Sequence, residues 1–328
     1  MSDTTWRFTG GTPHDGIKDL PPPPSWRMFG NPSKNRGETY QTRQYDGSMV
    51  SAEIELVNAA LLLRRPLLVT GKPGTGKSSL AYAVATELKL GDVLRWPITT
   101  RSTLREGLYD YDAIGRLQDA SLYQNPNMSQ PSPPKLGKYI RLGPLGTALL
   151  SQHIPRVLLV DELDKSDVDL PNDLLHVFEE GEYEIRELSR LGKDHSEEVE
   201  TWDGDKVVIH GGIVQCKNFP LVIFTSNGER DFPPAFLRRC LRLTIQPPGL
   251  DELRAIIRSH FSTYLEQYPD DDLFVRVEPL IKAFLQRREQ TDLSTDQLLN
   301  AVYLVTQNVD PLSRPALVEA VWKSLSNP

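Results

Sequence analysis

The sequence predicts an α/β domain built on a parallel sheet of five strands with helices on both faces, followed by a small all-helical domain. Three observations predict it. Five short apolar runs, Leu67–Thr70, Val93–Ile98, Val157–Asp161, Leu221–Ser226 and Leu241–Ile245, read as buried strands. Helical patterns separate several of them, notably Ser79–Leu88 and Asp173–Glu180. After Pro247-Pro248 the apolar spacing is helical throughout.

Taken in order, residues 1–46 form a polar arm with Gly10-Gly11 and the run Pro21–Pro24, which predicts extended polyproline II. Trp6, Phe8, Trp26 and Phe29 are unusual in a free tail, so the arm is expected to lie against the body or a neighbouring subunit. A helix follows, with Ser51 as its N-cap, Glu53 in its first turn and Ile54, Val57 and Leu61 at helical spacing until Pro66 stops it. The α/β domain spans 47–247 and is interrupted twice. Residues 101–144 hold a Tyr/Asp-rich segment, Gly107 to Asp112, and a loop from about Asn125 to Pro134. Residues 186–212 are acidic and polar, and the alternation of Val207, Ile209, Gly211-Gly212 and Ile213 reads as a hairpin. The helical domain, 248–328, opens with a helix marked by Leu253, Ile256, Ile257, Phe261 and Tyr264. Leu280, Phe284 and Leu285 mark a second, Ser294 and Gln297 form a capping box for a third, and Leu312–Leu325 makes the last.

Composition narrows the function classes. The 328 residues carry 37 Lys+Arg against 44 Asp+Glu, a net charge of −7, which disfavours nucleic acid as a bulk electrostatic partner. Cys216 and Cys240 stand in no metal-like spacing and suggest free thiols in a reduced compartment. The polar N-terminus lacks the apolar stretch of a signal peptide, and no run approaches the length needed to span a membrane. A soluble cytoplasmic protein is the expectation.

The chemistry concentrates at strand ends. Gly71-Lys72-Pro73-Gly74-Thr75-Gly76-Lys77-Ser78 follows the first strand directly and opens a helix at Ser79. Glycines let successive amides curl around one anion, Lys77 can reach the outer phosphates, and Ser78 can ligate Mg²⁺. The helix dipole points its positive end at the same place. Asp161 and Glu162 end the third apolar run, where Asp161 would hold Mg²⁺ through water and Glu162 would orient an attacking water. Asp164 and Lys165 continue this run and read as surface charge or subunit contacts. Asn227, at the tip of the fourth run, can hold the water against the terminal phosphate. Arg238 and Arg239 follow a short helical stretch and could reach a neighbour's phosphates.

Together, from about Ser48 to the C-terminus, these residues resemble the AAA+ ATPases. The resemblance implies an αβα P-loop core with a helical lid, ATP and Mg²⁺ as ligands, and subunits assembled into a ring, typically a hexamer. Within AAA+ the chain is similar to the MoxR-type branch. Gly143-Pro144-Leu145, Leu174–Gly181 and Ala235–Arg239 match that branch's characteristic segments. By that match Arg239 takes the arginine-finger position and Asn227 that of sensor 1, and the two insertions become client-facing loops. The branch contains remodelling chaperones that work with von Willebrand factor A domain proteins. One residue departs from the pattern. Asp296 stands where the sensor-2 arginine is expected, so no sensor-2 residue is assigned. Two rival readings are a McrB-like, GTP-using motor acting with a nuclease on DNA, and a nucleotide-gated scaffold without turnover. A small-molecule kinase is least supported, since the helical domain offers no evident acceptor site.

Overall fold

A computed structural model of the chain describes residues 52–123, 135–150, 154–269 and 271–324. The Pro-rich arm, the Ser51 cap and the loop at 125–134 lie outside them. Among the described residues the strands, in chain order, are β1 (Leu67–Thr70), β2 (Leu94–Pro97), β3 (Tyr109–Tyr111), β4 (Ile140–Leu142), β5 (Val157–Asp161), β6 (Glu182–Glu184), β7 (Ser196–Glu200), β8 (Lys206–His210), β9 (Ile213–Gln215), β10 (Leu221–Ser226) and β11 (Leu241–Thr244).

The five apolar runs are strands, each within a residue of its predicted ends, and they form one wholly parallel sheet in the order β11-β1-β10-β5-β2. Leu68, Leu158, Val160, Val222 and Phe224 turn to one face, and Leu67, Val69, Leu159, Leu221 and Ile223 to the other; all are buried. Burying each such side chain contributes roughly 1.5–3 kcal/mol, which is why the three inner strands β1, β5 and β10 carry no polar residue until their tips, whereas the edge strands β2 and β11 expose Arg95 and Arg242. The first face packs on Leu145, Leu149, Leu163, Leu174 and Phe236. The helix Ala52–Leu63 lies against β1 and β11. Its buried stripe is Glu53, Val57 and Ala60, not the predicted Ile54–Val57–Leu61, because Ile54 faces outward. A helix so rich in Ala and Leu on every side leaves its inner face undetermined by periodicity.

The insertions fold differently from the expected hairpin. β8 does not pair with β9 across Gly211-Gly212. It runs back antiparallel against β7, while β9 pairs antiparallel with β6. The tight turn therefore lies at Thr201–Asp205, where Thr201 N–H donates to Asp205 O at 2.8 Å. β7 in turn adjoins β4, and β4 pairs with β3, so the two insertions build a single four-stranded sheet, β3-β4-β7-β8. Its seam is fastened by Glu197, which accepts from the Gly137 amide at 3.0 Å, and by Arg141, which donates to Trp202 O at 2.8 Å.

Two compact units result. One takes the described residues of 52–70 and 84–244 and holds all three sheets; the other joins 71–83 to the C-terminal helices from residue 245. In the latter, Leu250–His260, Ser262–Gln267, Leu273–Arg288, Thr295–Thr306 and Pro315–Val321 close around Leu253, Ile257, Leu280, Phe284, Val302 and Trp322. The stretch expected as one helix from Leu253 to Tyr264 is two, parted at Phe261. The capping box forms as predicted, with Ser294 N–H donating to Gln297 Oε1 at 2.9 Å.

Candidate functional site

In the helical unit, the glycine-rich loop curls back on itself. Gly71 has φ +153°, and a Cβ there would stand 2.4 Å from Ile245 O; Gly74 has φ +72°, and its Cβ would meet Ser294 Cβ at 2.4 Å. Only glycine fits either position. The helix Lys77–Glu87 starts on this loop, so Lys77, Ser78 and Ser79 form its first turn. Lys77 Nζ donates to Gly71 O and Lys72 O, each at 2.8 Å, and Thr75 Oγ1 donates to Lys72 O at 2.8 Å. The ammonium is thus drawn into the curl, with Thr75 and Lys77 both buried. A tight loop with an inward cation at a helix N-terminus fits a phosphate group by shape and charge. Lys72 is ion-paired with Asp292, and Ser294 abuts Gly74, so the start of the helix Thr295–Thr306 rests on the loop. Asp296 is exposed in the first turn of that helix.

In the sheet-bearing unit, Asp161 and Glu162 close β5, and Thr225 lies near the end of the adjacent β10. The Thr225 hydroxyl donates to Asp161 Oδ1 at 2.8 Å and accepts the Glu162 amide at 2.8 Å. One buried side chain therefore organises both acids. Arg95, from β2, donates to Asp161 Oδ2 through Nε at 3.1 Å and a terminal nitrogen at 2.7 Å. Oδ1 accepts the Thr225 hydroxyl, and a carboxylate at a strand tip is of the chemical type that accepts from a water on Mg²⁺. Glu162 has φ +63°, a left-handed backbone unusual outside glycine, and its carboxylate is ion-paired with Lys165 at 2.8 Å. That hydrogen bond holds the Lys165 ammonium above its ordinary range.

Asp164 is not the surface charge the sequence suggested. It is 3% exposed, and its Oδ2 accepts the amides of Asn227 at 2.8 Å and Glu229 at 3.1 Å. A polar run is read as solvent-facing by default, but the 3₁₀ turn Leu163–Lys165 rotates Asp164 inward and Lys165 toward Glu162. Arg230 donates to Ser166 O at 2.6 Å and ties the same two loops again. The Asn227 side chain, half-buried, has no hydrogen-bond partner among the described residues.

The helix Pro234–Arg239 carries both arginines. Arg65 donates to the main-chain oxygens of Arg238 and Arg239, satisfying carbonyls that a helix end leaves free. Arg239 is ion-paired with Glu179 on the helix Leu170–Glu180, whereas Arg238 is exposed and its side chain has no partner among the described residues. Burial pushes the Cys240 thiol up to about 12 and raises Cys216 as well, so neither is a nucleophile at neutral pH.

Thus one unit gathers Asp161, Glu162, Asn227 and the arginine pair, and the other carries Gly71–Ser79. Thr225, Arg95, Arg65 and Glu179 were not assigned roles from sequence, and Asp164 and Lys165 were read only as surface charge or subunit contacts. Thr225 and Arg95 left a signal, as polar residues within mostly apolar runs. Among the described residues no helix is long and apolar enough to cross a membrane. No curated protein matches the chain. The family model for the ATPase family associated with various cellular activities (AAA) matches residues 67–247, more than half of the chain. That span begins at β1, takes in the glycine-rich loop and both acids, and ends just beyond β11; the chain belongs to the AAA ATPase family.

Proposed function

We propose that the protein is a Mg²⁺-dependent ATPase of MoxR-like type that works as a ring, likened to hexameric relatives, and uses hydrolysis to remodel a partner protein. The observation that carries the reading is the curled Gly71–Ser78 loop with the Lys77 ammonium drawn into it, in a chain whose β5 ends in two organised acids. Lys77 and the loop amides bind the phosphates. Ser78 and Asp161 would hold Mg²⁺, which neutralises phosphate charge when bound. Glu162 orients the water and takes up its proton, and Asn227 fixes that water's position. Glu162 does so only once its carboxylate leaves Lys165, so the ion pair is a resting arrangement.

A guanidinium from an adjoining subunit completes the site by stabilising charge that develops on the transferring phosphoryl group. Arg238 suits that role better than Arg239, because it is exposed and its side chain has no partner among the described residues. A von Willebrand factor A domain protein is the proposed class of partner, and the cytoplasm the proposed location. Mass photometry with and without ATP, joined to phosphate release, tests the reading. ATP-dependent multimers, nucleotide binding lost in Lys77→Ala, and binding without turnover in Glu162→Gln are expected. Full-speed hydrolysis by a monomer, or by Glu162→Gln, overturns it. Higher turnover of GTP than ATP, stimulated by DNA, gives the McrB-like reading instead.

A further inference from the structure

The buried Asp164 lies outside the set of groups that bind nucleotide or water, yet it touches the segment that carries one of them. Its Oδ2 accepts two consecutive-turn amides, Asn227 N–H at 2.8 Å and Glu229 N–H at 3.1 Å. Its Oδ1 is buried with no hydrogen-bond partner among the described residues. A carboxylate at 3% exposure with no ion-pair partner in contact among the described residues is costly, and such a group persists where the bonds it makes fix something needed. What it fixes is the tip after β10. Gly228, between the two bonded amides, has φ +79° and open space around its missing Cβ, so steric packing does not hold this tip. Hydrogen bonds hold it instead: Asp164 to two amides, Ser226 Oγ to Gly228 N–H at 3.0 Å, and Arg230 to Ser166 O at 2.6 Å.

The same 3₁₀ turn, Leu163–Lys165, sends Lys165 to Glu162. One turn thus touches the backbone under Asn227 and the side chain of Glu162. We propose that Asp164 is a positioning residue, which sets Asn227 through its backbone and couples the Asn227 tip to the turn behind Glu162. This rests on the hydrolytic reading given above, so the test separates the two.

The first readout needs no turnover. In full-length Asp164→Ala, amides of residues 226–230 exchange with solvent at least tenfold faster than in wild type, while those of Leu221–Phe224 keep their rates. Asp164→Asn, which retains an acceptor oxygen of the same reach, stays within about threefold. If Asp164→Ala does not fold, Asp164→Ser replaces it, with a hydroxyl too short to reach both amides and the same expected loss. Unchanged exchange at 226–230 overturns the proposal, as does an equal loss in Asp164→Asn.

The second readout is kinetic. Asp164→Ala lowers kcat about tenfold with KM for ATP within twofold, and adding Asn227→Ala costs little more than Asn227→Ala alone. Independent, multiplicative losses in the double variant overturn it. A wild-type protein that hydrolyses nothing refutes the ATPase reading, and the exchange result still decides Asp164.

Discussion

The Arg239 guanidinium is ion-paired with the Glu179 carboxylate of the same chain. That pair separates two arginines which adjacency in sequence makes look equivalent. Both groups are partly exposed, so the pair itself adds little to stability. Its effect is to occupy Arg239, so that under the ring reading proposed above Arg238, exposed and without a side-chain partner among the described residues, would be the cation presented to a neighbour.

Arg238→Ala is therefore expected to lose about a thousandfold of the assembly-stimulated turnover, the lower end of the range that arginine fingers supply. Arg239→Ala should lose less than tenfold, and neither should change nucleotide affinity. Phosphate release measured against protein concentration checks this. The reverse order returns the role to Arg239.

Thr225→Val keeps the shape of the side chain and removes the hydroxyl that joins Asp161 to the Glu162 amide. Leaving buried polar groups unsatisfied costs about 1–3 kcal/mol. A lower Tm and a kcat reduced at least tenfold are expected, with Thr225→Ser restoring both. A valine variant with wild-type turnover would show that the bridge is dispensable.

Gly74→Ala places a methyl at φ +72° and 2.4 Å from Ser294 Cβ. Strain of about 1–3 kcal/mol follows, together with displacement of the helix start that rests on the loop. Loss of fluorescent-nucleotide binding and a lower Tm are the expected results. Titration with retained affinity would mean that the loop does not depend on that close approach.

Burial holds the His260 imidazole down to about 4, against 6.5 for the free group. The unfolded chain therefore binds the extra proton first as pH falls. Stability is fully present above about 6.5 and declines toward 4, by at most about 3 kcal/mol on the conversion of 1.36 kcal/mol per unit. Tm recorded from pH 7 to 4.5 should fall, and His260→Gln should flatten that part of the curve.

The parallel sheet was legible because strands covered on both faces need apolar residues at successive positions, as Leu67–Val69, Val157–Val160 and Leu221–Phe224 supply, while the edge strands interrupt theirs with Arg95 and Arg242. The glycine-rich loop and the Asp161-Glu162 tip were legible for a related reason, since both interrupt apolar runs with residues that have no structural use there. The outer sheet was not. β7 reads Ser-Glu-Glu-Val-Glu, yet Glu197 is buried because its carboxylate accepts the Gly137 amide and faces His195 at 2.8 Å. A strand whose inner face holds an acid satisfied from a distant segment leaves no local pattern. Asp164 escaped for the same reason, as its partners lie more than sixty residues away.

The seam between β4 and β7 has a mechanical consequence. Those strands lie on either side of β5 in the chain, so their junction closes a covalent and hydrogen-bonded hoop through the strand that ends in Asp161 and Glu162. A load applied across the outer strands is borne first by that junction, so the acidic tip inside the hoop is shielded from it for as long as the junction holds.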